Sequence, residues 1–506
     1  MSRINTNIQS LIAQRNLGQN NKALDLSLER LSTGLRINRG KDDPAGLIAS
    51  ENLRSEKASL NAAISNAERA DQVANIAEGG LQEVSSLLTE LQGLITSTAN
   101  DTGLSDDEKK ANQLQIDSIL QTIDRIAGAT SFQGKKLLNG NLDYTTTNVD
   151  AGVDDFRVNG AKLAYGGSLD VKAIVTTSAQ QAGLVLSTNG ALNLNGGVNS
   201  AFTIEITGTL GSRQLQFASG TSVSDIINAI NTFTDVTGVQ ATSITGTSSI
   251  KLSSEEFGSS QFVSVRVVDD ANIQGTGVGI YSLQSQDFNS PDTSSGSAFS
   301  STSAKNGIRD RGQDVVATIN GIVATADGKT ARINSDFLDV SITLDTSTAQ
   351  QRGTVDAFSI SGGGAKFQLA GNVDIAGNVS IGISDIATRK LGNTTLGYLS
   401  DLASGNSKNV VDGNLNAAQK VVAEAINQVS GLRGRLGAFQ KNTVGATIRS
   451  LSVSLENTTA AESSIRDANF ATETASLTRN QILVSASTQI LSLANQQPQA
   501  ALQLLG

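Results

Sequence analysis

Apolar residues recur at helical spacing near both ends of the chain and alternate with polar ones through its middle. Near the C-terminus Leu477, Val484 and Leu491 repeat every seven residues, and Ile490 and Leu493 widen the stripe, as in a helix with an apolar seam. After Arg479 no charged residue follows, and the remaining positions are mostly Ser, Thr, Gln, Asn and Ala, so this helix has no charged face to give to water. Near the N-terminus Ile4, Ile8 and Leu11 step by four and three, and Leu17, Leu24, Leu28, Leu31 and Leu35 continue at near-heptad spacing. Asn21 falls on that seam, where a polar residue can set register at some cost in stability. Helices at chain ends fray unless something docks on them, so each seam predicts a partner.

Inside these two segments the helical pattern lengthens. In NRGKDDPAG, Asp43 followed by Pro44 predicts a helix start, with a carboxylate N-cap and Pro at the first helical position. From residue 45 to about 100 one face stays apolar without a proline, a helix on the order of 80 Å long. Gly79, Gly80 and Gly93 weaken it, each by about 1 kcal/mol relative to Ala. Ser105 and Glu108 predict a capping box that opens a second helix, running to Gly128. Helix is expected again from about residue 407 to 457, followed by a break over 458–469.

Between residues 141 and 405 the chain is rich in Gly, Ser, Thr and Asn. Phe202, Ile204 and Ile206 alternate with polar residues, as do Val263, Val265 and Val267 and then Leu338, Val340, Ile342 and Leu344. Asn320-Gly321 predicts a hairpin turn, and residues 222–233 one amphipathic helix. The expected fold is multidomain α+β: an antiparallel long-helix, coiled-coil core built from both termini with a β-rich central insert. Residues 1–43 with 459–506 form the terminal seam domain, and 44–140 with 406–458 the long-helix bundle. Residues 141–405 form the insert, with two subdomains divided near residue 300.

Composition narrows the function. The chain has 506 residues, a net charge of −9, no Cys and no His. An acidic surface argues against a nucleic-acid partner, which needs a basic footprint. Without His or Cys the commonest general base, the usual zinc ligands and thiolate chemistry are all missing. No enzymatic activity, cofactor or catalytic site is expected. Gly362-Gly363-Gly364 lacks the following Lys-Ser/Thr of a phosphate loop and reads as a turn, and Glu255-Glu256 as a solvated pair. Asp and Glu in the insert leave calcium open. The opening MSRINTNIQSLIAQRN is polar and does not read as a secretory signal. No apolar run of about 18 residues predicts a membrane span.

Several stretches resemble bacterial flagellin: INTNIQSLIAQRNL, LERLSTGLRINRGKDDPAGLIAS and IDRIAGATSFQGKKLL in the first part of the chain, then SLENTTAAESSIRDANFATETA, QILVSASTQILSLANQ and QPQAALQLL in the last. Residues 201–270 resemble, more loosely, an insertion module of some flagellins. The resemblance implies a structural subunit of the extracellular flagellar filament that polymerises with many copies of itself into a helical tube used for motility. Residues 4–35 and 472–493 would line the inner tube, the long helices would form an outer tube, and the insert would face the medium. It further implies export, unfolded, through the flagellar secretion apparatus, and contacts with filament cap and junction proteins. A cytoplasmic export chaperone would first cover the C-terminal segment, docking on Ile482, Leu491, Leu493, Leu502 and Leu504. The alternatives are a hook–filament junction protein, whose deletion detaches the filament where loss of the subunit abolishes it, or a filament subunit whose insert serves as an adhesin or glycan carrier.

One departure has a functional consequence. Flagellins recognised by the vertebrate Toll-like flagellin receptor carry Arg where this chain has Glu90, and Glu where it has Gln115, while Leu94 is retained. Recognition by that receptor is expected to be weak. A cell reporter responding to this protein at the potency of an enteric flagellin contradicts this expectation.

Overall fold

The computed structural model describes residues 6–100, 102–164, 166–194, 200–244, 248–273, 275–284 and 290–503, with side chains described as far as residue 496. Ile4 and Leu504 lie outside the described residues, and Leu502 is described by its helical backbone alone. The helices are α1 (Ile8–Thr33), α2 (Pro44–Thr98), α3 (Asp106–Ala129), α4 (Val223–Asn231), the short α5 (Thr234–Thr237), α6 (Thr302–Asn306) and α7 (Thr346–Ala349), then α8 (Leu415–Ala438), α9 (Gly445–Arg466) and α10 (Phe470–Gln503). The chain forms two compact units, one of Met1–Ala74, Phe367–Asn378 and Gly437–Gly506, the other of Asn75–Lys366 and Val379–Leu436. Two of these boundaries fall inside α2 and inside the last turn of α8, whereas the expected domain boundaries fall at the helix breaks.

Local chemistry explains the helix ends. Asp43 Oδ1 accepts the Gly46 N–H at 2.9 Å, so its carboxylate satisfies one of the donors left over at the start of α2. Asp42 beside it accepts the Arg39 and Asn38 N–H groups, and the Arg39 bond is the largest of the influences that hold its carboxyl below the usual range. Ser105 and Glu108 form the reciprocal capping box that opens α3. Gly34 ends α1 in the left-handed region at φ 70°, sending its N–H back to Arg30 O at 2.9 Å.

Two helix boundaries differ from expectation. Helix resumes at Leu415 rather than near 407; residues 407–414 turn instead, and the Asn414 side chain accepts the Ala417 N–H at 3.1 Å. The break over 458–469 shrinks to three residues, because α9 runs on to Arg466 and α10 starts at Phe470. Ion pairs explain the longer α9: Lys57 meets Glu462 at 3.2 Å and Glu51 meets Arg466 at 3.0 Å, tying it to α2 through the stretch expected to be loose.

In the second unit Leu81, Val84, Leu88, Leu91 and Ile95 of α2 are buried, as are Ile116, Ile119 and Ile123 of α3 and Val422, Val429 and Leu436 of α8. Glu78 joins α2 to Arg433 of α8 at 2.8 Å. The three glycines of α2 are not equivalent. A Cβ on Gly79 or Gly93 would meet nothing within 4 Å, whereas one on Gly80 would lie 2.8 Å from Leu138 Cδ1 and 2.9 Å from Thr130 Oγ1. Gly79→Ala and Gly93→Ala are each expected to stabilise the chain by about 0.5–1 kcal/mol. Gly80→Ala is expected to give no gain, since overpacking offsets its helix propensity. Urea unfolding of the three variants checks this; equal gains at all three positions contradict the crowding at Gly80.

The insert contains two β-layer pairs that are nested, not consecutive. A five-stranded antiparallel sheet joins Leu169–Thr177 to Val316–Ile319 on one side and to Gly353–Gly363 on the other, and a four-stranded sheet including Val153–Ala161 and Leu338–Leu344 shares its core. Between Thr177 and Val316 the chain builds a second core. There Phe202, Ile204, Val263 and Val265 of one sheet and Leu184, Leu186, Ile250 and Leu252 of another are buried with Ile226 and Ile230 of α4. The expected division near residue 300 is thus replaced by an inner subdomain inserted into an outer one. Strand partners far apart in sequence decide this, and alternation along a single strand does not encode its partner.

Candidate assembly surface

In the first unit α1 and α10 lie side by side, and their hydrogen bonds fix direction and register. Ser10 Oγ donates to Asn495 Oδ1 at 2.7 Å, Asn20 Nδ2 to Ser487 Oγ at 2.7 Å, and Asn480 Nδ2 to Ser27 Oγ at 3.1 Å. Rising numbers on α1 meet falling numbers on α10, so the pair is antiparallel.

The seam between them has two interleaved rows. Half-buried Leu17, Leu24 and Leu31 make one row on α1, matched by half-buried Leu477, Val484 and Leu491 on α10. The other row is small or polar: Ala13, Asn20 and Ser27 on α1, and Asn480, Ser487 and Ala494 on α10. Small residues let the two backbones approach closely enough for side chains to reach main-chain oxygens. Asn7 Nδ2 donates to Ala494 O at 2.8 Å and Asn480 Nδ2 to Ala23 O at 3.2 Å. Asn20 therefore holds the seam position expected for Asn21, which is exposed. A shift of one residue turns a side chain by about 100° about the helix axis.

At the base of the pair the chain is clipped across both helix breaks. The Arg36 N–H donates to Arg466 O at 2.7 Å and the Ala468 N–H to Gly34 O at 2.9 Å, while Arg30 and Glu473 face each other at 3.8 Å. Leu35 lies here, half-buried and bridged to Asp467.

The outward faces carry large apolar side chains among polar ones. Ile8 (53 % exposed), Leu11 (57 %), Ile490 (58 %) and Leu493 (61 %) project away from the seam, as do Ile482 and Leu28. Ile12, Leu483 and Phe470 are also exposed, and sequence reasoning did not single them out. Ile12 directly adjoins the stripe residue Leu11, and Leu483 adjoins Ile482 of the expected chaperone-docking set, so a wider apolar arc was the available signal. Single exposed apolar residues are ordinary; here Ile482 with Leu483 and Ile490 with Leu493 recur along one helix that has no charged residue after Arg479.

Residues 4–143 match the family described as the bacterial flagellin N-terminal helical region, residues 419–505 the bacterial flagellin C-terminal helical region, and residues 201–256 the flagellin hook IN motif. The chain is 30% identical to a B-type flagellin of Pseudomonas aeruginosa, covering 99% of both chains. It belongs to the bacterial flagellin family. A flagellin of Salmonella typhimurium is 29% identical over 99% of both chains, and flagellin A of Helicobacter pylori 27% identical over 99% of both. This flagellin is a structural protein, a subunit of the extracellular filament of the bacterial flagellum. Its fold is α+β, with helical regions at both ends and a β-rich centre. Among its described residues no helix is long and apolar enough to cross a membrane, and no group of three or more Asp or Glu side chains is placed to hold a metal ion.

Proposed function

We propose that α1 and α10 act as one folded pair whose outer faces are buried against other copies of the chain, forming the inner tube of the filament. The observation that carries this reading is the exposure of Ile8, Leu11, Leu28, Ile490 and Leu493 after the pair has satisfied its own seam. Leu17, Leu24, Leu31, Leu35, Leu477, Val484 and Leu491 then hold the pair together, and the exposed set joins subunits. An apolar face that meets a different face on the next copy does not close on itself, and a repeated contact of that kind builds a helical polymer. The lack of charge after Arg479 removes like-charge repulsion from a contact repeated along the filament.

The same helix serves the proposed export step. Ile482 and Leu493 face outward and Leu491 faces α1, so a chaperone that takes all three must hold α10 before it pairs. The two uses of α10 are then successive: chaperone in the cytoplasm, α1 and neighbouring copies after export through the secretion apparatus. Filament cap and junction proteins are proposed to meet the same surfaces at the ends of the filament.

Thiol labelling tests the assembly reading, since the native chain has no Cys. Leu11→Cys and Ile490→Cys are expected to react readily with a maleimide in the monomer and at least about tenfold more slowly in filaments, as burial demands. Equal rates in both states would place these side chains outside the subunit contacts and sink the proposal.

A further inference from the structure

Within the second unit a cavity of about 370 Å³ is lined by charged side chains, among them Asp143, Asp155, Arg157, Lys390 and Arg435. Its cations are unequally matched. Arg157 pairs with Glu424 at 3.3 Å and lies 3.9 Å from Asp155. Arg332, whose charge also bears on Arg435, is held by Asp339 at 3.3 Å. Among the described residues the side chains of Arg435 and Lys390 make no ion pair or hydrogen bond. Arg435 Nη1 is shut away from solvent with no partner, and burial pulls its guanidinium below its ordinary pKa.

Of the carboxylates in the cavity wall, Asp143 feels the charges of Arg435 and Lys390 without pairing with either, and Asp155 and Asp385 have other partners. Asp143 accepts the Tyr144 N–H at 2.8 Å, and burial pushes its carboxyl up. Asp155 accepts the Phe156 N–H at 2.9 Å, and Asp385 is taken by Arg389 at 2.6 Å and by the Ala387 N–H at 2.9 Å. Arg435 is half-buried, and the carboxylates that act on it, Asp339 and Asp143, lie beyond ion-pair distance, leaving Nη1 without a hydrogen bond. Such a group is unfavourable, and its planar fork fits a carboxylate or phosphate through two parallel bonds.

We propose that this cavity is an oxyanion site, in which Arg435 and Lys390 hold a phosphate- or carboxylate-sized group. Arg435 lies in the last turn of α8 and Lys390 in the last part of the insert, so a bound anion would tie the helix to the β-rich region. The site does not depend on the assembly surface, none of whose residues it uses.

The test is thermal unfolding of the full-length monomer in sodium phosphate, sodium acetate and sodium chloride at equal ionic strength. Phosphate or acetate is expected to raise Tm saturably above the chloride value, and whichever acts at lower concentration identifies the group the site prefers. Arg435→Met and Lys390→Met are each expected to weaken that response at least about tenfold, while Lys110→Met, on the exposed start of α3, keeps it. In chloride alone Arg435→Met is expected to unfold at a higher temperature than the native chain, because the unmatched charge is gone. The proposal is overturned if neither anion raises Tm above chloride, or if the two cavity variants respond as the native chain does. Should Arg435→Met not fold, Lys390→Met decides the matter alone, with loss of the response supporting the site and a native response refuting it.

Discussion

A chain ending at Ser476 is expected to form no filaments under conditions in which the full chain polymerises. The deletion removes Leu477, Val484 and Leu491 together with Asn480 and Ser487, so the α1 seam loses its partner row and its register bonds. It also removes Ile482, Ile490 and Leu493, the exposed apolar side chains proposed to meet neighbouring copies. Each large apolar side chain withdrawn from water is worth about 1.5–3 kcal/mol, and each is lost at every subunit contact. The β-rich cores contain no residue of α10, so their unfolding transition is expected to persist. Electron microscopy and circular dichroism of the same sample therefore separate failed assembly from failed folding. Long filaments from the truncated chain would defeat the assembly proposal outright.

The double substitution Ile490→Asp with Leu493→Asp is expected to block assembly while leaving the helix pair in place. Both side chains point away from α1, and the inward Leu477, Val484 and Leu491 are untouched. Assembly would then forfeit about 3–6 kcal/mol of apolar burial per contact and would have to desolvate two unpaired carboxylates, at a cost of several kcal/mol each. The critical concentration for growth is expected to rise by at least about a thousandfold, each 1.4 kcal/mol being a factor of about ten. Helicity by circular dichroism should match the native monomer. Sedimentation showing polymer at the native critical concentration would mean that this face of α10 is not a subunit contact.

Much of the fold is legible along the chain because its signals are local. The Ser105–Glu108 box, the Asp43-Pro44 start and the Asn320-Gly321 turn each act within a few residues. The last adopts positive φ at both positions, 48° and 83°, between the paired Ile319 and Ile322. Strand alternation around Phe202, Val263 and Leu338 likewise marks side chains that are buried. Where the reading departs from the structure, the missing information is long-range. The end of α9 depends on Lys57 and Glu51, about four hundred positions away in sequence. The nesting of the two β cores depends on Leu169–Thr177 pairing with Val316–Ile319, across the whole inner subdomain.

The terminal seams show the division most plainly. The sequence by itself determines that both ends are helical and apolar, that their leucines recur at near-heptad spacing, and that the C-terminal helix has no charged face. It does not determine which apolar residues are spent within the chain and which are left over. Leu24 and Leu28 sit on the same stripe when read along the sequence, yet Leu24 is half-buried against α10 and Leu28 is exposed. A step of four residues turns the helix about 40° past a full turn, and an antiparallel pair covers only a narrow seam. The tertiary structure makes that choice by seating Ala13, Asn20 and Ser27 in the seam beside the Leu17, Leu24 and Leu31 row, so Leu11 and Leu28 are turned outward.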